Sequence, residues 1–284
     1  MDNKVSVVLM GRNDNYGDNL HHRAIHSITN FIASYDEIIY VDWKSPNGVS
    51  LIHDIKPYLP QTQKLKVFEV TEQDIQVNNP EYLNYSIVEV LGRNIGIRRA
   101  TNDWILVSNI DIITPKVDLT QYQTDTLYTS ARRNVPESSH LSFSYTQELN
   151  DYLESNYDNF VLMRDSVING KAVWDEGDIW SLVVGCGDFQ FAHKNVWYGI
   201  KGFEEEAGGR CYADSNVMKK AALGYKIEKC FHPLFHLDHN SNKIKIEGEI
   251  LPLNDQKQFV TNFIKSTNTD NWGWGDYSIK SYII

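Results

Sequence analysis

The 284-residue chain has little cysteine (three residues), little proline (eight) and no long apolar runs. Cys186, Cys211 and Cys230 are odd in number and lack paired zinc-module spacing, which excludes a disulfide scaffold and a cysteine-built metal centre. They read as small, buried, reduced side chains in a cytoplasmic compartment. No apolar stretch approaches the length of a membrane span. The opening MDNKVSVVLMGRND has an apolar run too short, and too interrupted, for a secretion signal. Basic residues are also short: 27 Lys and Arg against 37 Asp and Glu leave a net charge of −10. Such a surface argues against a general nucleic-acid binder and against docking on anionic lipid. No low-complexity tract and no repeat of solenoid period occurs. Apolar residues are not scarce. They make 42% of the chain, with 12% aromatic, enough for a substantial core.

What is present is an alternation of buried strands and helices. Val5 to Met10 reads as a strand, broken by the polar loop GRNDNYGDN. LHHRAIHSITNFIAS then places Leu20, Ala24, Ile28, Phe31 and Ile32 at helical spacing. Glu37 to Trp43 and Lys66 to Val70 read as strands. Residues 84 to 100 read as a helix weakened by Gly92 and Gly96, and Trp104 to Val107 as a fourth strand. This order predicts an α/β fold with a Rossmann-like, mostly parallel central sheet flanked by helices. Residues 115 to 180 read as helices and loops of a second lobe. A helix from Asp214 to Leu223, the strand GYKIEKC and a helix near 255 to 265 follow. In the tail, Trp272 and Trp274 of NWGWG read as packing for the terminus, the alternative being a sugar-stacking platform. No linker separates these parts, so one domain is expected, divided into 1–114, 115–240 and 241–284.

Right-handed crossovers collect the carboxyl ends of parallel strands on one edge, where ligands bind. Gly11 to Asn15, Asp42 and the Asn109/Asp111 pair fall on that edge. Asp111, after a buried strand, is a hard oxygen ligand suited to Mg2+ or Mn2+, although an Asp there also serves a turn. FHPLFHLDH offers His232, His236 and His239 in a spacing unlike HExxH, so one of them is expected to join Asp111 on a phosphate-bound ion. Asp42 suits hydrogen bonds to a base or ribose. Asp214 opens a helix, where it is either a cap or a general base; spacing does not choose. Arg12, Arg93, Arg98 and Arg99 offer forks for a diphosphate, the alternative for Arg98 and Arg99 being solvent-exposed helix positions.

Read in order, these blocks resemble the GT-A-type glycosyltransferases, close to family 2. VSVVLMGRND is similar to that family's first strand and nucleotide-binding loop, which implies donor contacts from Gly11 and Arg12. EIIYVDWKSPNG resembles the VDDGSTDG segment, with Asp42 at the position that meets the base. GRNIGIRRATNDWILVSNIDI resembles the block ending in DxD: Asn94, Gly96, Ala100 and Asp111 match, and Asn109 stands in place of the first Asp. GDFQFAHKNVWYGIKGFEEE, with Asp188, resembles the region near the acceptor. YADSNVMKKAALGYKI resembles EDxDLxxRxxxxG, with Ala213 and Asn216 replacing acids and Asp214 at the base position of inverting members. PLFHLDH resembles the segment whose final histidine ligates the ion, pointing to His239 with His236 as runner-up. The resemblance implies a metal-dependent transfer, through Mn2+ or Mg2+, from a UDP-sugar or related donor to a carbohydrate or glycoconjugate hydroxyl. Arg93, Asn94, Asn109 and Asp188 are expected in the substrate site. A non-catalytic sugar-nucleotide or glycan-binding module is the alternative. A nucleotidylyltransferase would need a GxGTR-type loop, which GRNDNYGDN is not.

Overall fold

A computed structural model describes residues 4–162, 187–207, 213–240 and 268–284. The expected helix at 255 to 265, and Cys186 and Cys211, lie outside them. Two sheets organise the chain. The larger has eight strands, built first on β1 (Val5–Gly11), β2 (Glu37–Trp43), β3 (Leu65–Val70) and β4 (Trp104–Val107), with β2 pairing β1 and β3, and β4 pairing β1, all parallel. β1 and β2 are buried at every position because both faces are covered, and all but Ser6, Glu37 and Asp42 are apolar or glycine. Val5, Val7 and Leu9 pack on one side with α1 (Leu20–Ser34); Val8 and Met10 pack on the other with α4 (Glu89–Arg99). Between β2 and α4 run the short helices α2 (Leu51–Ile55) and α3 (Glu72–Asn78), the latter closed by a Thr71/Asp74 capping box.

The expected second lobe of helices and loops is corrected by the structure. Residues 115 to 162 supply strands as well: β6 (Thr126–Ser130) joins the main sheet, and β7 (Arg133–Val135) and β8 (Val161–Leu162) join a small four-stranded sheet with β5 (Ile112–Ile113) and β11 (Phe235–Leu237). These strands are two to five residues long, and β6 and β7 carry polar side chains, so no long apolar run announces them. Between them lie α5 (Glu137–His140) and α6 (Thr146–Ser155); Leu149 and Leu153 of α6 pack on Phe235, Leu237 and Val135.

β9 (Gln190–His193) fits antiparallel between β4 and β6, and is followed by α7 (Lys194–Gly199), α8 (Ala213–Ala222) and β10 (Lys226–Cys230), which closes the sheet parallel to β6. β12 (Lys280–Ile283) lies antiparallel on β3, completing the order β10-β6-β9-β4-β1-β2-β3-β12. Trp272 and Trp274 are buried in the core beside α4. The helix expected over 84 to 100 starts only at Glu89. Its glycines are close-approach sites: a methyl group on Gly96 would overlap Val8 Cγ1 of β1.

Candidate active site

Strand order reverses at β1. The chain runs β1-β2-β3 to one side and places β4 on the other. The crevice beyond the carboxyl ends of β1 and β4 is therefore the expected ligand position. A cavity of about 430 Å³ opens there, lined by Gly11 and Arg12 after β1, Asn109 and Asp111 after β4, and His236 and His239 from β11 and the turn beyond it. A second cavity of about 520 Å³ lies beyond the ends of β2 and β3, lined by Asp42, Ser45, Ser50, Glu69 and Thr71. Arg12 borders both.

Asp111 and the two histidines meet because β5 and β11 pair antiparallel, setting His236 opposite Ile112, the residue after Asp111. His239 Nε2 lies 3.4 Å and His236 Nε2 3.6 Å from Asp111 Oδ2. All three donors fall within 4.8 Å of one another. The separations exceed an ordinary N–H···O bond. Asp111 Oδ1, His236 Nδ1 and His239 Nδ1 are buried without a hydrogen-bond partner among the described residues. Burial would raise the Asp111 carboxyl, but the two imidazoles outweigh it and hold it well below the usual carboxylate range. One oxygen and two imidazole donors, close, buried and short of partners, fit a divalent cation such as Mn2+.

Asn109 lines the same cavity, but both ends of its amide are taken by protein. Its Oδ1 accepts from Arg93 at 2.8 Å and its Nδ2 donates to Asp188 Oδ1. Arg93 also pairs with Glu89 and donates to the Gly187 carbonyl at 3.3 Å, while Arg132 binds Asp188 Oδ2 at 2.5 Å. A chain of alternating charge, Glu89–Arg93–Asn109–Asp188–Arg132, thus backs the cavity. Arg93 and Asp188 are buried in it; Glu89 and Arg132 reach the wall. The pattern also gives a reason for Asn at 109: a second carboxylate there would face that of Asp188.

Asp42 is buried, and its Oδ1 accepts from Leu51 N at 3.2 Å. Burial pushes its carboxyl up to about 6, against the bonds from Ser45 and Leu51. Asp214 is in the first turn of α8, half-buried, its Cβ 3.0 Å from where a methyl group on Gly187 would lie and its charge sensing Arg93. Burial lifts it too to about 6, with the Ser215 backbone bond opposing and Glu89 and Asp188 adding. It stands next to the charged chain rather than on the cavity wall. Gly11 admits no side chain, since a methyl group there would meet Tyr40 Oη at 2.9 Å and Ile110 Cδ1 at 3.0 Å.

Asn94 is away from the cavity. Fully buried, it donates to the Phe203 carbonyl and Glu205, each at 2.9 Å, and accepts from Phe203 N at 2.7 Å, clamping α4 to the turn after α7. Arg98 and Arg99 are not at the site, nor are they free surface residues. Arg98 lies over Tyr198 and Trp272, and Arg99 donates to the Gly273 and Tyr277 carbonyls, so both pin the C-terminal segment. Tyr16, Arg132 and Asn134 line the cavity without having been picked out in the sequence. Arg132 was visible only as one of two arginines in YTSARRNVPES, a stretch with no periodicity to place it.

No family model matches the chain, and no curated protein matches it. Among solved structures it is similar to residues 1–349 of TarS from S. aureus, at TM-score 0.48 and 13% identity over 82% of this chain and 60% of that one. The same protein in complex with UDP gives TM-score 0.47 and 12% identity over 90% and 69%. The mannosyltransferase PcManGT from Pyrobaculum calidifontis, in complex with GDP-Man and Mn2+, gives TM-score 0.48 and 15% identity over 86% and 58%. The chain thus spans about 60% of the first TarS chain and 58% of PcManGT.

Proposed function

We propose that the chain is a metal-dependent glycosyltransferase of GT-A type, using a nucleoside diphosphate sugar, with UDP as the expected carrier. The observation that carries this reading is the Asp111–His236–His239 cluster, opening on a cavity that Arg12 shares with the Asp42 pocket. Asp42, Ser45 and the loop after β1 hold the nucleoside; Arg12, at the junction, faces the diphosphate. Asp111, His236 and His239 would hold Mn2+ or Mg2+, whose charge stabilises the departing diphosphate. Asp214 accepts the proton of an acceptor hydroxyl. The acceptor oxygen forms a bond to the anomeric carbon as the bond from that carbon to the diphosphate oxygen breaks. The diphosphate leaves with the electron pair, and the configuration inverts. A carboxyl raised to about 6 by burial suits this duty: ionised at neutral pH, yet basic enough to take a proton.

The test is nucleoside diphosphate release from a panel of sugar nucleotides with Mn2+. Wild type should turn over donor, and Asp214→Asn should bind donor with unchanged affinity but lose about two to four orders of magnitude in rate. Binding without turnover in wild type would instead favour a sugar-nucleotide-binding module. Full activity in Asp214→Asn would reduce Asp214 to a residue of the helix start.

A further inference from the structure

The loop between β1 and α1 does more than border the cavity. Gly17, buried and at φ +71°, lies directly against His239. A methyl group built on it would overlap His239 Nδ1 and come within 2.8 Å of Cγ and 3.1 Å of Cβ. Tyr16 stands edge-on to the same imidazole, ring centroids 5.1 Å apart, and Asn240 N donates to the Gly17 carbonyl at 3.3 Å.

The loop is held from behind by Arg23 of α1, whose side chain is fully buried. Its guanidinium donates to the Asp18 carbonyl and, at 2.5 Å, to the Tyr16 carbonyl, the two residues flanking Gly17. Burying a guanidinium is costly. A planar fork can span two carbonyls in fixed geometry, which an ammonium or an apolar side chain cannot. The segment carrying His239 has braces on its other side: Leu237 N donates to the Asp111 carbonyl at 2.9 Å, and His140 Nε2 to the Asp238 carbonyl at 2.8 Å.

We infer that Gly17 and Arg23 are positioning residues for the cation ligand His239: Arg23 fixes the backbone of residues 16 to 18, and the absent side chain at 17 leaves the imidazole room to face Asp111. The inference rests on the reading of Asp111, His236 and His239 as a cation site. Any left-handed L-residue at 17 is strained, and its Cβ would force the imidazole aside.

The test is calorimetric titration of the full chain with Mn2+ alone, comparing wild type, Gly17→Ala, Arg23→Lys, His239→Ala and the Gly17→Ala/His239→Ala double variant. Gly17→Ala should weaken Mn2+ roughly ten- to a hundredfold and Arg23→Lys about tenfold, the range for residues supporting a metal ligand. With His239 already removed, adding Gly17→Ala should change affinity less than about twofold, because the two act through one imidazole. Unchanged Mn2+ affinity in Gly17→Ala, or losses that simply add in the double variant, would overturn the inference while leaving the cation site intact. A wild type that binds no Mn2+ overturns the site itself. Should Gly17→Ala fail to fold, Arg23→Lys decides: weakened Mn2+ affinity supports the inference, unchanged affinity refutes it.

Discussion

Two carboxyls sit at about 6 for the same first cause, burial, but face different chemistry. Ionised, Asp42 is the stronger hydrogen-bond acceptor and Asp214 is able to take a proton, so each function should fade as pH falls through 6. In the proposed mechanism Asp42 serves nucleotide binding and Asp214 the transfer step. Nucleotide affinity, measured without acceptor, should therefore drop below pH 6 and be insensitive to Asp214→Asn. The turnover rate at saturating donor should fall about tenfold per unit over the same range in wild type. A flat rate from pH 5 to 8 would remove Asp214 from the chemistry. Asn109 offers a second residue-scale check. Asn109→Asp should destabilise the chain by about 1–3 kcal/mol through repulsion with Asp188. Its melting temperature should recover partly at acid pH, where one of the paired carboxyls protonates; an unchanged melt at neutral pH would mean Asp188 tolerates the charge.

At the scale of elements, glycine in α4 shows how sequence and structure part company. Read along the chain, Gly92 and Gly96 weaken a helix; in space, they let α4 rest directly on β1. Gly96→Ala should cost about 1–3 kcal/mol by overpacking, because Val8 Cγ1 belongs to a stiff branched side chain in a strand. Gly92→Ala should cost less, since the atom in its way is the mobile end of Met10, whose Cε lies 2.5 Å from the built methyl. Equal melting temperatures for the two variants would contradict that distinction. The strands β1, β2 and β4 were legible because each carries a short continuous apolar run, VVLM, IIYV and WILV, and β3, LKVFEV, is the more mixed of the four. β6, β7 and β9 were not: TLYTS, RNV and QFAH are short and mixed, and their place comes from neighbours distant in sequence. The histidine segment could be noticed in the sequence, but that both His236 and His239 face Asp111 follows only from the pairing of β5 with β11.

For the whole molecule, the cluster is a joint between two sheets. Asp111 follows β4 of the large sheet; His236 lies in β11 of the small one and His239 just beyond. The residues that hold this joint, from Arg23 and Gly17 to Arg93 and Asp188, are spread over the chain and are polar or small, with no periodicity to reveal them. The blocks similar to glycosyltransferases singled out Asp111, His236, His239, Arg93 and Asp188, but not Gly17 or Arg23. Among the described residues no helix is long and apolar enough to cross a membrane. The most direct measurement is pulsed electron paramagnetic resonance of the Mn2+-loaded chain, which detects nitrogen bound to the ion. Nitrogen couplings from two imidazoles are expected in wild type, one in His236→Ala and in His239→Ala, and none in the double variant, with Asp111→Ala binding Mn2+ poorly or not at all. Mn2+ bound without nitrogen coupling in wild type, or bound equally well by Asp111→Ala, would contradict a cation held by these three side chains.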